Sequence, residues 1–92
     1  MKKIIASNHF VKFKKRSHEA LQMEIDRQVR VLVEHPDMGE MKKGDLKGVR
    51  VHKFKYNNQL YLLAYEAKGD VLYLYLIGSH ENYYKKLKKY LS

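Results

Sequence analysis

Three consecutive strand-like segments constrain the fold of this 92-residue chain more than any other feature. They are rich in β-branched, aromatic and aliphatic residues, and they cover residues 49–56, 60–67 and 71–77. The short links Asn57-Asn58 and Lys68-Gly69-Asp70 between them are typical of tight turns. Because links this short join antiparallel strands, the pattern predicts a meander. The third segment is an almost continuous apolar run, which indicates a strand that is central in the sheet.

The N-terminal half carries the signals of a short strand followed by two helices. The β-branched pair Ile4-Ile5 predicts a strand over 2–6. Ser7 is a favourable cap for a helix over about 8–15, and Ser17 for a second helix. The apolar residues of that second helix recur with a period near 3.6, and Pro36 ends it.

A polar loop over 35–48 and a last helix over 82–91 complete the assignment. Gly78-Ser79-His80 interrupts the apolar pattern after the third meander strand. The last helix combines an apolar stripe with a lysine-rich opposite face. The sequence therefore predicts one α+β domain over 1–92, with a small antiparallel sheet in the order β-α-α-β-β-β-α. An N-terminal αα-hairpin packs on this sheet, and a helix follows it at the C-terminus.

Composition narrows the classes of function. The chain has no cysteine, which excludes disulfides, thiolate zinc sites and cysteine nucleophiles, and favours the cytoplasm. Its formal net charge of +9 predicts an anionic partner. All eight tyrosines lie in residues 49–92, and aromatic rings mixed with basic charge suit RNA. No apolar stretch is long enough to cross a membrane, so we expect no membrane partner.

Two of the five histidines are placed where they could do chemistry. His52 lies within the first meander strand beside Arg50, Lys53 and Lys55, and His80 follows the third strand. Alternation places Arg50 and His52 on one face and the two lysines on the other. The first and third strands share a direction, so one end of the sheet could gather Arg50, His52, a lysine and His80.

Such a cluster has a chemical use that needs no metal. RNA cleavage at the 2′-hydroxyl requires a base, an acid and cations beside the phosphate, and imidazole and ammonium groups supply all three. The histidines show no HExxH spacing, and no phosphate-binding glycine loop is present. We therefore expect no metal and no cofactor.

Residues 45–54, 60–65 and 76–84 resemble the bacterial RelE/ParE toxin superfamily. The order and spacing of these segments and the total length carry the resemblance. The ending Gly78-Ser79-His80, followed by Tyr84, is similar to the Gly-Thr-His ending of YafQ-type toxins. It favours the RelE/YafQ-like mRNA interferase branch over the ParE branch.

The resemblance implies the toxin of a type II toxin–antitoxin system. Family members are commonly ribosome-dependent endoribonucleases that cut mRNA in the decoding site, in the 16S rRNA region. A small, often acidic antitoxin neutralises them in a toxin–antitoxin hetero-oligomer. The resemblance also implies that His80 is the acid or base and that Tyr84 stacks on a base or assists proton transfer. The basic catalytic groups of the strand would come from Arg50, His52, Lys53 and Lys55.

One departure from the family keeps other functions open. Many RelE-like toxins carry an arginine in the strand that corresponds to 60–67, and here that strand has none, with Tyr61 near its place. A ParE-like inhibitor of DNA gyrase with the same fold is one alternative. A non-catalytic RNA-binding module is another, although a lysine-rich helix face can also be simply solvated. The residues expected to contact RNA are Lys12, Lys14, Lys15, Arg16, Tyr83 and Lys85.

Overall fold

The computed structural model describes residues 3–46 and 48–92. These residues form three α-helices and five strands, with a short 3₁₀ turn over Gly44–Leu46. The elements are β1 (Lys3–Ala6), α1 (Asn8–Arg16), α2 (Glu19–Glu34), β2 (Glu40–Met41), β3 (Arg50–Tyr56), β4 (Gln59–Lys68), β5 (Val71–Ser79) and α3 (Tyr83–Leu91). The predicted α+β class and element order are confirmed. Lys2, the first residue of the predicted strand, lies outside the described residues.

The five strands form one sheet in the order β1-β5-β4-β3-β2. The strands from β2 to β5 pair antiparallel, so the predicted meander is confirmed. β1 joins the edge of β5 in parallel, and the two-residue β2 lies within the segment predicted as a loop. The apolar β5 lies between β4 and β1, as its composition indicates. A register shift at Ala64/Tyr65 interrupts the β4–β5 ladder.

The turn between β3 and β4 shows why two asparagines stand there. Asn57 and Asn58 have φ angles of 52° and 64°, in the left-handed region. Two successive positive φ angles define the hairpin turn whose twist matches that of paired strands. Asparagine tolerates this conformation better than other side chains with a Cβ.

Helix caps follow the sequence in one case and differ in another. The Ser7 hydroxyl accepts from the backbone N–H of Phe10 at 3.1 Å and caps α1. Ser17, predicted to cap the second helix, is instead the C-cap of α1, and its hydroxyl donates to the carbonyl of Phe13. His18 caps α2, because its Nδ1 accepts from the backbone N–H of Leu21 at 3.3 Å.

Each face of the sheet is covered by helices over its own core. Helices α1 and α2 cover the first core, and α3 covers the second. The buried residues of the first core are Phe10, Leu21, Ile25, Leu32, Phe54, Leu63, Tyr65, Leu72, Leu74 and Ile77. Those of the second are Leu46, Val49, Val51, Leu62, Ala64, Tyr83 and Leu87. Among the described residues, no helix is long and apolar enough to cross a membrane.

Candidate functional site on the α3 face

Strand β3 divides the predicted catalytic residues between the two faces of the sheet. Phe54 belongs to the first core and Val51 to the second, so even-numbered residues face α1 and α2 while odd-numbered residues face α3. His52 stacks beside Phe54 with ring centroids 6.1 Å apart. Lys53 and Lys55 are exposed on the α3 side. The predicted separation of Arg50 and His52 from the two lysines is therefore confirmed.

His52 is part of the packing between α2 and the sheet. Only 8% of the residue is exposed, and its Nε2 lies 2.7 Å from Oε1 of Gln28 on α2. Burial lowers the pKa of His52 below its ordinary value, because the charged imidazolium loses hydration. The structure thus places His52 away from the α3 face, and we do not retain it as a catalytic candidate.

Arg50 holds the segment between α2 and β2 against the sheet. Its guanidinium donates to the carbonyls of Asp37 at 3.1 Å and Gly39 at 2.8 Å. Its register partner on β4 is Tyr65, which in turn pairs with Leu74 of β5. His80 lies six residues further along, or about 20 Å at the rise of a strand. The expectation that Arg50 lies at the same end of the sheet as His80 is therefore wrong. His52 is level with Ile77, only three residues before His80, but it lies on the face covered by α1 and α2.

Lys55 and His80, in contrast, lie level with each other on either side of β4. Lys55 pairs with Leu60, and the backbone N–H of His80 donates to the carbonyl of Leu60 at 3.0 Å. Two strand spacings separate their Cα atoms by about 10 Å. Lys53 occupies the preceding α3-facing position, level with Leu62. His80 is exposed, so this end of the sheet presents two ammonium groups and one imidazole to solvent.

Tyr84 enters the same face from α3 and contacts a lysine that the sequence did not single out. The Nζ of Lys42 lies 4.9 Å from the centroid of the Tyr84 ring and donates to Glu40 at 3.0 Å. Burial alone would lower the pKa of Lys42, but the hydrogen bond to the Glu40 carboxylate and the electrostatic effect of the adjacent Tyr84 raise it. The Tyr84 hydroxyl is buried without a hydrogen-bond partner among the described residues.

The sequence offered little to identify Lys42, because it follows a strand of only two residues. Glu40 pairs with Val51, and the backbone N–H of Lys42 donates to the carbonyl of Val49 at 2.9 Å. Val49 and Val51 both belong to the core beneath α3. Glu40 and Lys42 therefore share the face of Tyr84, which only the pairing of β2 with β3 reveals.

Tyr83, predicted to contact RNA, is a core residue. It is 1% exposed, and its hydroxyl donates to the carbonyl of Leu76 at 2.5 Å. Its ring meets Tyr84 edge-on, with centroids 5.7 Å apart. A ring enclosed in this way has no free face for a base, so we remove Tyr83 from the RNA-contacting set. Lys85, next along α3, is exposed.

The α1 residues predicted to bind RNA differ in their surroundings. Lys14 forms an ion pair with Asp26 of α2, which compensates its charge. Lys12 and Arg16 are exposed and line a groove of about 410 Å³ together with Phe13. Lys15 is exposed as well. The cationic surface of α1 thus lies on the opposite side of the sheet from Lys53 and Lys55.

Among the side chains that the structure describes, no three histidine, aspartate or glutamate residues are grouped so that they could hold a metal ion.

Comparison with known proteins gives a match to one protein family and no match to a curated protein. A family model described as "ParE-like toxin of type II bacterial toxin-antitoxin system" matches residues 4–88. No curated protein matches the chain. The family match extends over both cores and the whole α3 face apart from the end of α3. The predicted membership of the RelE/ParE superfamily is thus confirmed. The family description carries the ParE name, and the RelE/YafQ-like branch expected from residues 78–84 stays a prediction.

Proposed function

Because the chain belongs to the ParE-like toxin family of type II bacterial toxin–antitoxin systems, we propose that this toxin acts as a ribosome-dependent mRNA endoribonuclease. A toxin of a type II system has a cognate antitoxin as its partner. The proposed reaction is cleavage by attack of the 2′-hydroxyl on the neighbouring phosphate, carried out in the decoding site.

One observation supports this proposal above the others: Lys55 and His80 lie level on either side of β4. Their Cα atoms are about 10 Å apart, and two side chains reaching across Leu60 can approach a single phosphate from both sides. Lys53 adds a second ammonium group on the same face. Among the described residues, neither lysine forms an ion pair. The nearby Glu40 carboxyl has its pKa lowered mainly by Lys42 and to a smaller extent by Lys53.

Each group has a place in the proposed reaction. The imidazole of His80 accepts the proton from the 2′-hydroxyl or delivers one to the departing 5′-oxygen, since histidine exchanges protons near neutral pH. The ammonium groups of Lys53 and Lys55 stabilise the charge that develops on the phosphoryl oxygens. Tyr84 supplies an aromatic ring at the margin of the site, held by Lys42. These lysines take the place of the arginine that β4 lacks.

The proposal is tested by mapping mRNA ends after induced expression. Primer extension should show new ends within translated regions for the wild type. Cleavage should fall by about 10²- to 10⁴-fold for His80→Ala, the range expected for a general acid or base. The double variant Lys53→Ala/Lys55→Ala should lose cleavage too. A matched control, Lys3→Ala/Arg30→Ala, removes the same charge from exposed positions outside the site and should cleave normally.

Inhibition of DNA gyrase is the second candidate, and the family description favours it through the ParE name. A gyrase inhibitor acts by binding, so it needs no acid or base at position 80. Supercoiling by purified gyrase would then be blocked by the wild type and by His80→Ala alike, and mRNA would remain intact. The same two proteins thus distinguish the candidates in two assays.

A further inference from the structure

The edge of β5 is only half covered. β1 pairs with β5 as far as Ala6 opposite Leu74, whereas β5 continues to Ser79. The chain leaves this edge at Ser7, whose backbone N–H donates to the carbonyl of Leu74 at 2.9 Å. It then turns directly into α1. The second half of β5 therefore borders an opening between α1 on one face and α3 on the other.

Two grooves meet in this opening. The one on the α1 side has a volume of about 410 Å³ and includes Lys12 and Arg16. The one on the α3 side is larger, about 610 Å³, and includes Lys86 and Lys89. His9 and Leu76 line both. The two grooves thus adjoin each other at the edge of β5, and we call them together the β5-edge channel.

The β5-edge channel is basic. Four cationic side chains line it, two from each helix, and none of the described residues that line it is acidic. All four are exposed, and none forms an ion pair with a described residue. A ligand that fits must therefore carry negative charge along its length.

Aromatic rings continue from the channel across the sheet. His9 is exposed and meets Tyr90 edge-on, with centroids 5.0 Å apart and planes at 86°. The half-buried Tyr90 lies 6.1 Å from Tyr75, which stacks at 6.4 Å on Tyr73. Lys68 lies 5.9 Å from the centroid of that last ring. Lys68 is ion-paired with Glu66, whose carboxylate also accepts from the Tyr75 hydroxyl at 2.7 Å. The channel therefore leads into a line of three tyrosines that ends at this ion pair.

We propose that the β5-edge channel binds unpaired nucleotides of single-stranded RNA. Bases stack on aromatic faces whatever their sequence, and basic side chains follow the backbone phosphates. An acidic protein segment would use the cations but would leave the aromatic line without a function. The proposal rests on RNA as the target of this toxin but is independent of cleavage, since the channel is separate from Lys53, Lys55 and His80.

Binding can be measured without cleavage. The probe is a fluorescent 2′-O-methyl oligouridine of about eight nucleotides, within the range of known single-strand sites, and it has no free 2′-hydroxyl to attack. Anisotropy titrations of the whole chain compare three proteins with the wild type. Tyr90→Leu keeps apolar volume beside Tyr75 but removes the ring. Lys86→Ala/Lys89→Ala removes two channel cations, and Arg30→Ala/Lys88→Ala removes two exposed cations that do not line the channel.

The expected results differ between the variants. Tyr90→Leu should weaken binding by about 5- to 150-fold, the effect of one lost stacking contact. The channel pair should weaken binding and reduce the slope of log K against log salt by about 1.4, since each phosphate contact in a single strand contributes about 0.7. The control pair should leave that slope close to the wild-type value.

Several results would overturn the proposal. If Lys86→Ala/Lys89→Ala and Arg30→Ala/Lys88→Ala weakened RNA binding equally, the overall positive charge alone would attract RNA. If Tyr90→Leu bound the probe with wild-type affinity, base stacking on Tyr90 would be excluded. If RNA binding were unchanged in the channel variants while they lost binding to a glutamate-rich peptide, the channel would belong to an acidic protein partner. Thermal unfolding checks that each variant is folded. If Tyr90→Leu does not fold, the comparison of Lys86→Ala/Lys89→Ala with Arg30→Ala/Lys88→Ala tests the proposal by itself. If the wild-type toxin bound the probe but did not cleave mRNA, the proposed endoribonuclease activity would be refuted and the RNA-binding channel would not.

Discussion

Replacing Tyr65 with phenylalanine tests how the segment between α2 and β2 is held on the sheet. Tyr65 is fully buried. Its hydroxyl donates to the carbonyl of Pro36 at 2.7 Å and accepts from the backbone N–H of Gly39 at 2.9 Å. The variant removes both bonds and leaves the N–H of the buried Gly39 without a partner. The ring itself stays in place, so no large cavity forms.

The magnitude follows from these two contacts. A typical hydrogen bond contributes about 1 kcal/mol net, and an unsatisfied buried donor costs about 1–3 kcal/mol. We therefore expect Tyr65→Phe to lower the free energy of unfolding by about 2–4 kcal/mol. A domain of this size is stable by about 5–14 kcal/mol, so the loss is a large fraction. At about 4–8 °C per kcal/mol, the melting temperature should fall by at least about 8 °C.

Thermal unfolding followed by circular dichroism measures this loss. Tyr61→Phe is the matched control, because it removes a hydroxyl from a half-buried tyrosine that makes no hydroxyl hydrogen bond to a described residue. The control should melt within about 2 °C of the wild type, as substitutions away from key contacts usually do. A melting temperature for Tyr65→Phe equally close to the wild type would refute the view that this hydroxyl fastens the segment.

Two further predictions concern His52 and Tyr84. Burial lowers the pKa of His52, so the unfolded chain takes up a proton before the folded chain, and stability should fall as pH drops below about 6.5. Between about pH 7.5 and 5, His52→Gln should therefore lose less stability than the wild type, as measured from the midpoints of urea unfolding. Equal losses in the two proteins would contradict a lowered pKa of His52 in the folded state. Tyr84→Phe removes a buried hydroxyl that has no hydrogen-bond partner among the described residues, so the free energy of unfolding should be unchanged or rise by about 1 kcal/mol. A loss of more than about 1 kcal/mol in the same urea titration would show that this hydroxyl is bonded after all.

The parts of the fold that depend on short-range patterns could be predicted from the sequence. The meander follows from alternation and from turns such as Asn57-Asn58, whose positive φ angles fit a two-residue hairpin. The end of α2 follows from Pro36. The faces of β3 follow from its period of two, which separates His52 from Lys53.

The parts that depend on long-range pairing could not be predicted. β2 has two residues, too few for a pattern, and only its pairing with β3 places Lys42 beside Tyr84. The period of β3 gives the face of His52 but not its burial, which depends on Gln28 of α2. Serine is a preferred N-cap type and histidine is not, so the sequence predicted Ser17, whereas His18 caps α2 in the structure. That Lys55 and His80 lie level with each other follows only from the registers of the β3–β4 and β4–β5 pairs, which the sequence does not give.

The nature of the RNA ends tests the central claim most directly. Purified toxin is added to ribosomes translating a defined mRNA, and the fragments are labelled at their 5′ ends by a kinase without prior phosphatase treatment. Attack by the 2′-hydroxyl leaves a 5′-hydroxyl on the downstream fragment, so the account predicts labelled fragments with the wild type and almost none with His80→Ala. Intact mRNA, or equal cleavage by both proteins, would contradict it.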